Sequence, residues 1–200
     1  MTLNHITRAL AGLGCAVSIV LLTGCAHPIT LVPDLATVPA ASAKINKTAG
    51  YVVSAEDMAK EVETPGGGGD KVKYAPYKDL DVGLYKSFSQ VFTNVVKLKS
   101  VNDVEGIASQ GVSLVISPSI ATDSSSSSAF TWPPTKFTIT LTCTVVDAKG
   151  APVTVITSKG EGAAEFSEFK SNFSLSAKRA SEDALKNLVK ALSESEALRR

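Results

Sequence analysis

The chain has 200 residues, with 20 basic and 19 acidic side chains and a formal net charge of +1 at pH 7. This balance leaves no basic stripe for phosphate backbones, so we expect no nucleic-acid partner. The only two histidines are His5 and His27, both near the amino terminus. Histidine-based catalysis and histidine-rich metal sites therefore lack their side chains in the rest of the chain. We expect no enzyme activity and no cofactor.

A short, mainly apolar segment near the start of the chain ends in a cysteine. Arg8 precedes the run from Ala9 to Leu22, and Thr23, Gly24 and Cys25 follow it. The run is shorter than the roughly 20 apolar residues that a membrane-spanning helix needs. A charged start, a short apolar region and small residues at a cut are typical of a secretory signal. The sequence therefore predicts a signal peptide over residues 1–24, with an uncleaved anchor as the less favoured alternative.

The tetrad Leu22-Thr23-Gly24-Cys25 resembles the lipobox of bacterial lipoproteins. The resemblance implies that Cys25 is acylated and becomes the first residue of the mature chain. Two or more acyl chains anchor a protein stably, since each buried methylene contributes about 0.8 kcal/mol. In such lipoproteins an aspartate after the cysteine favours the inner membrane, and here that residue is Ala26. The implied location is the outer membrane, lipid-anchored, on its periplasmic face.

The part after the signal is predicted to hold a tether and one domain. Residues 26–43 contain several prolines and small residues and have no sustained period. We therefore predict that residues 25–43 form a lipidated cysteine and a flexible tether, and that 44–200 form a single periplasmic α+β domain. The first strand is predicted over residues 44–54. A connection rich in glycine, including Gly66–Gly69, follows it.

A helical period begins after this connection. From Leu84 to Val96, apolar residues recur at helical spacings, and Asp79 or Asp81 can cap the start of the helix. The helix has one broad apolar face. We expect that face to lie against a sheet.

Three strands are predicted next, over residues 112–120, 137–146 and 153–158. The middle one places apolar residues on one face and mostly threonine on the other, which is typical of an antiparallel sheet with one solvated face. Cys143 lies on its apolar face and is predicted to be a core residue, because free cysteine packs as a small apolar group. The turn Asp147–Gly150 predicts a hairpin with the returning strand.

The last segment predicts a second helix and completes the fold. From Leu175 onward, alanines and leucines recur on one side, and Ser174 or Ser176 can cap the start. The order is strand-helix-strand-strand-strand-helix. It predicts an α+β fold with a mainly antiparallel sheet of about four strands and two helices packed on one face.

Two aromatic groups are candidate contacts for a partner or ligand. Phe130 and Trp132 lie in a loop rich in serine and proline, and tryptophan is over-represented at binding hot spots. The alternative is that Trp132 holds the next strand to the core. Tyr74, Tyr77 and Tyr85 lie around the start of the first helix, where they either line a groove or hold the loop down.

Other polar motifs are weak. Glu161, Glu165 and Glu168 are close in sequence, but nothing in the sequence brings them into one pocket, so we predict a solvated polar face. The glycines before Lys71 lack the spacing and the hydroxyl residue of a phosphate-binding loop. The sequence therefore predicts no metal or phosphate site.

Three stretches resemble an uncharacterised group of proteobacterial lipoproteins: Thr64–Lys71, Tyr77–Leu80 and Phe130–Pro134. The element order behind the lipobox also resembles YajG-type lipoproteins and, more loosely, the α+β domains of LptE, TolB and CsgG. The resemblance implies a non-catalytic interaction or assembly module at the outer membrane. Its partners would be the membrane, through acyl chains on Cys25, and an envelope protein.

The alternative function is ligand binding. A lipid- or glycan-binding lipoprotein would hold its ligand between sheet and helices, near Tyr85, Phe88 and Trp132. A tightly packed interface between sheet and helices would count against that alternative.

Overall fold

A computed structural model of the chain describes residues 26–65, 71–126 and 135–200. The strands in those ranges are β1 Ala26–Pro28, β2 Ile45–Tyr51, β3 Val62–Pro65, β4 Lys71–Tyr74, β5 Phe92–Lys97, β6 Leu114–Ser125, β7 Lys136–Asp147 and β8 Pro152–Ala163. The α-helices are α1 Ala55–Ala59, α2 Pro76–Val91, α3 Val104–Ser109, α4 Phe166–Ser171 and α5 Leu175–Glu194. No helix among these residues is long and apolar enough to cross a membrane.

The larger sheet has five strands in the order β5-β2-β6-β7-β8. β2 runs parallel to both of its neighbours, because a connection containing a helix separates it from each of them in the chain. β6, β7 and β8 are antiparallel, and a tight turn with Gly150 at a φ of 84° joins the last two. The α+β class is confirmed. The sheet itself differs from the prediction, because it is mixed and has five strands.

The additional strand is β5. Val95 and Val96 fit the helical period, so the sequence prediction includes them in the helix. In the structure α2 ends at Val91 and Phe92 is already extended. The stretch Phe92–Lys97 contains threonine and two valines, which suit a pleated strand. β5 therefore pairs with β2 directly after the helix.

A second, smaller sheet has the order β1-β4-β3. β3 and β4 form an antiparallel hairpin, and β1 runs parallel to β4 with Ala26 opposite Lys71. The hydroxyls of Thr64 and Ser124 lie 2.7 Å apart, and those of Tyr74 and Thr122 lie 2.8 Å apart. The small sheet is therefore held beside the last residues of β6.

The main core lies between one face of the larger sheet and helices α2 and α5. The inward side chains of β7 are at most 2% exposed: Phe137, Ile139, Leu141, Cys143 and Val145. Burial raises the pKa of the Cys143 thiol to about 12. The predicted packing of two helices on one face, and the core position of Cys143, are confirmed.

Helix α5 approaches β8 closely because the residues that face each other on the two elements are small. Ala177, Ala180 and Ala184 are fully buried, and backbone atoms of Ala180 and Ala184 face the strand. Opposite them, the strand carries Gly160 and Gly162, where a Cβ atom would meet the backbone of α5. Helix and sheet are in backbone contact here.

The opposite face of the larger sheet is mostly polar. Thr138, Thr140 and Thr142 are half-buried on it, which agrees with the predicted threonine face. Near the start of β6 this face carries a small second core, in which Ile107 of α3 packs against Leu98, Val112 and Val115.

The three long antiparallel strands give the domain two distinct ends. Each of β6, β7 and β8 has 12 residues, and at about 3.3 Å per residue they are roughly 40 Å long. One end, named here the Ser125 end, carries the last residues of β6 and β8 and the following α4. The other, the Leu114 end, carries the start of β6, the β7–β8 turn and α3.

Candidate functional site

The predicted lipidation site lies directly before the first strand. Cys25 and the lipobox residues Leu22, Thr23 and Gly24 lie outside the described residues. Ala26, the next residue, already belongs to β1 and pairs with β4. The chain therefore enters a sheet one residue after the candidate lipid attachment.

The segment predicted as a flexible tether is packed against the domain. Ile29, Leu31 and Val38 are at most 8% exposed and belong to the main core. A 3-10 turn at Leu35–Thr37, capped by Asp34, follows. The flexible tether over residues 26–43 is therefore a wrong prediction for this segment. The prolines and the missing period reflect an irregular backbone path. Residues 26–43, named here the strap, still place alternate large side chains in the core.

Hydrogen bonds hold this strap at residues that the sequence suggested as helix caps. Asp79 accepts from the Leu31 amide at 2.8 Å and from the Thr30 hydroxyl at 3.1 Å. Ser174 accepts from the Thr30 amide at 3.0 Å. α2 instead begins at Pro76 without a side-chain cap. Both polar side chains bind the strap rather than their own helices.

Two of the three tyrosines predicted as contacts are core residues. Tyr74 and Tyr77 are 3% and 5% exposed. The Tyr77 hydroxyl accepts from the Ile120 amide at 3.2 Å, and the ring of Tyr74 packs edge-on against Phe137. Because ring and hydroxyl are both used inside the fold, Tyr74 and Tyr77 are not surface contacts. The alternative, that they hold the loop down, fits the structure.

Tyr85 is different, because 45% of it is exposed on α2. Its ring lies 6.2 Å from that of Tyr51, at the end of β2. The Tyr51 hydroxyl donates to Asp81 at 3.1 Å, and the Lys97 ammonium donates to the same carboxylate at 2.8 and 2.9 Å. Tyr85 therefore lies beside a cluster of three side chains, Tyr51, Asp81 and Lys97, that are joined by hydrogen bonds.

The electrostatics of this cluster keep Tyr51 neutral. Burial raises the pKa of the Tyr51 hydroxyl, and the negative charge of Asp81 raises it further. Lys97 Nζ also lies 5.5 Å from the centre of the Tyr51 ring, in the range of a cation–π contact. Tyr51, Asp81 and Lys97 are not among the predicted site residues. They lie on separate elements, and no local spacing joins them.

A groove runs beside Tyr85 along β5. It has a volume of about 520 Å³ and is lined by residues of α2, β5 and the region around α3: Tyr85, Val95, Val96, Lys97, Leu98, Lys99, Asp103, Glu105, Gly106, Ser109 and Gln110. Side chains of both charges line it together with valines. β5 is the outermost strand of its sheet at this position. The groove thus combines charged and apolar side chains beside the outermost strand of the larger sheet.

The other predicted positions are not brought together into a site. Phe130 and Trp132 lie outside the described residues. Glu161 is paired with Lys159 at 2.6 Å, while Glu165 caps α4 and Glu168 binds Arg179 at 2.8 Å. These carboxylates have separate structural partners. Among residues 26–65, 71–126 and 135–200, no cluster of His, Cys, Asp or Glu could hold a metal ion.

Comparison with known proteins gives a structural likeness and no family assignment. Neither a family model nor a curated protein sequence matches the chain. The fold is similar to that of protein XCC0632 from Xanthomonas campestris, of the DUF330 family, with a TM-score of 0.45 and 13% identity over 84% of this chain and 89% of that one. At this similarity no residue role is transferred.

Proposed function

We propose that the chain is a lipid-anchored lipoprotein on the periplasmic face of the outer membrane, where it acts as a non-catalytic interaction or assembly module. The observation that carries the proposal is the tetrad Leu22-Thr23-Gly24-Cys25 at the end of a short apolar segment. Ala26, the residue after Cys25, lies in β1, so the proposed anchor and the domain are adjacent in the chain. The YajG-type resemblance belongs to the same proposal and rests on the element order in the sequence.

Replacement of Cys25 tests the anchor. We expect Cys25→Ser to lose the acyl mass completely, because serine lacks the sulfur that carries the diacylglyceryl group. The thermal unfolding midpoint of the domain should not change, since the residue precedes β1. Intact-mass spectrometry of the protein purified from whole cells in detergent measures the acyl mass, and circular dichroism measures the unfolding.

Cys15→Ser is the matched control for this experiment. Cys15 lies in the predicted signal peptide, so its replacement should leave the acyl mass unchanged. An unmodified wild-type Cys25, or equal loss of the acyl mass in both variants, would contradict the lipoprotein proposal.

The partner surface that we favour is the open edge of β5 together with Tyr85. An edge strand presents unpaired N–H and C=O groups that a partner strand can use. The adjoining groove contains Lys97, Lys99 and Asp103, so it suits a polypeptide better than an acyl chain. The ligand-binding alternative has less support, because Phe88 is fully buried and α5 touches the backbone of β8.

Truncation of Tyr85 tests the interaction role. In isolated envelopes, we expect one envelope protein to crosslink to the wild-type chain and that crosslink to fall at least tenfold in Tyr85→Ala. The truncation removes an exposed ring from the groove, and truncating an aromatic hot spot costs about 2 kcal/mol or more. Quantitative mass spectrometry of the crosslinked peptides measures the change.

Val155→Ala is the control for Tyr85→Ala, because Val155 is 59% exposed on β8, away from the groove. The crosslink should persist in this variant at equal protein abundance. A crosslink that survives in Tyr85→Ala would place the partner elsewhere, and Phe130 and Trp132 would be the next residues to replace.

A further inference from the structure

Two phenylalanines remain exposed at the Ser125 end of the domain. Phe166 and Phe173 are 56% and 46% exposed, whereas Phe169 between them is 1% exposed. Phe173 packs edge-on against Phe169 with 5.0 Å between ring centroids, and Lys170 Nζ lies 5.6 Å from the centre of the Phe166 ring. Buried Phe169 thus supports Phe173, and Phe166 lies three residues before Phe169 on the same helix. The two exposed rings are named here the Phe166/Phe173 patch.

The amino-terminal strand passes directly beside this patch. The ring centroid of His27 lies 6.2 Å from that of Phe173. The chain after His27 is also held near the patch, because the Thr30 amide donates to Ser174, the neighbour of Phe173, at 3.0 Å. Cys25 is two residues from His27, and two extended residues span at most about 7 Å. Anything attached to Cys25 therefore starts close to Phe173.

We infer that the Phe166/Phe173 patch inserts into the interface of the lipid bilayer that holds the acyl chains of Cys25. The inference rests on the proposed acylation of Cys25. The bilayer is the occupant because the strap is packed into the core, so the domain has no free tether that would let it move away from the membrane. Phe166 begins α4 and Phe173 follows its end, and exposed phenylalanine side chains are suited to the headgroup boundary.

The charges around the patch indicate an apolar contact rather than attraction to anionic lipid. Lys170 can lay its stem along the Phe166 ring and keep its ammonium at the headgroups. Glu165 and Glu168 on the same helix oppose its charge, and Arg179 pairs with Glu168 at 2.8 Å. The local charge is thus balanced. Insertion should occur equally into zwitterionic and anionic bilayers.

Depth-dependent quenching tests the orientation. The acylated full chain is reconstituted in phosphatidylcholine vesicles that contain a lipid with a nitroxide in its acyl chain. An environment-sensitive dye is attached to a single introduced cysteine, Phe173→Cys or Phe166→Cys. Cys143 is buried and should not react with the dye. We expect at least twofold quenching and a blue-shifted emission at both positions.

Val104→Cys is the matched control. Val104 is 75% exposed on α3 at the Leu114 end, roughly 40 Å from the patch by the strand length. Its dye should show emission as in water and no quenching. Equal, water-like emission at all three positions would overturn the inference.

Two further measurements separate the possible failures. Intact-mass spectrometry of the same sample reports the acylation of Cys25, so an acylated protein with an unquenched dye overturns only the orientation. An unacylated protein overturns the orientation and the anchor together. Phe166→Cys leaves the contact between Phe169 and Phe173 in place, and unfolding curves check that each labelled variant is folded.

Discussion

Replacement of Gly160 with alanine is expected to lower the free energy of unfolding by about 3 kcal/mol or more. A Cβ atom at Gly160 would overlap the carbonyl oxygen of Ala180 and the backbone of Ala184. These obstacles are main-chain atoms of α5, so no side-chain rotation can relieve the overlap. The helix must move away from the sheet, and the packing of the main core changes with it.

Gly162 lies two residues further along β8 and makes the same kind of contact. A Cβ atom there would overlap the carbonyl oxygen of Ser176 and the amide nitrogen of Ala180. Gly162→Ala should therefore destabilise the fold by a similar amount. We expect the double replacement to abolish cooperative folding, because a net stability of about 5–15 kcal/mol is typical of a domain.

Urea unfolding followed by circular dichroism measures these changes. Thr157→Val is the control, since Thr157 lies on the outward face of the same strand and is exposed. It should change the free energy of unfolding by no more than about 0.5 kcal/mol. A loss in Gly160→Ala no larger than that in Thr157→Val would mean that α5 and β8 are not in backbone contact.

The hairpin of β7 and β8 was predictable because its sequence signal is local. The alternation around Cys143 and the turn at Asp147–Gly150 define two strands and their connection without any distant contact. The structure extends the predicted strands, and β8 continues to Ala163. The glycines at 160 and 162 interrupt the apolar alternation there. They belong to the strand because α5 lies so close to β8 that only residues without a side chain fit there. This requirement comes from tertiary packing and not from the local sequence.

The strap, residues 26–43, was not predictable for a related reason. The same is true of β5, whose valines fit the helical period. Pro28, Pro33 and Pro39 remove the periodic signals by which a buried segment is recognised, yet Ile29 and Leu31 are buried. The amides of Leu31 and Thr30 donate to Asp79 and Ser174, which are distant in the chain. Irregular segments of this kind are stabilised by long-range contacts that no sequence window contains.

The candidate site was predictable only as a set of residue types. The sequence groups the three tyrosines around the start of α2, but burial separates Tyr85 from Tyr74 and Tyr77. The support of Tyr85 comes from Tyr51 on β2 and from Lys97 on β5. Since the helical period includes Val95 and Val96 of β5, no pattern in the sequence places Lys97 beside Tyr51.

Leu31→Ala is expected to lower the free energy of unfolding by about 2–5 kcal/mol, the usual range for a buried leucine. Leu31 is fully buried in the main core, and its amide donates to Asp79. Loss of the side chain leaves a cavity beneath the strap. The amides of Ile29 and Leu31 should then exchange with solvent faster than those of the β7 core, because the strap opens before the domain unfolds.

Val32→Ala is the matched control, because Val32 is the next residue and is 48% exposed. It should change the free energy of unfolding by no more than about 0.5 kcal/mol and leave amide exchange unaltered. Equal behaviour of the two variants would mean that the strap is loosely attached and that the segment acts as a tether after all. A large effect of Leu31→Ala, with none of Val32→Ala, would instead mean that the strap holds Ala26 at a fixed position on the domain. A lipid on Cys25 would then hold the Ser125 end, rather than the Leu114 end, at the membrane.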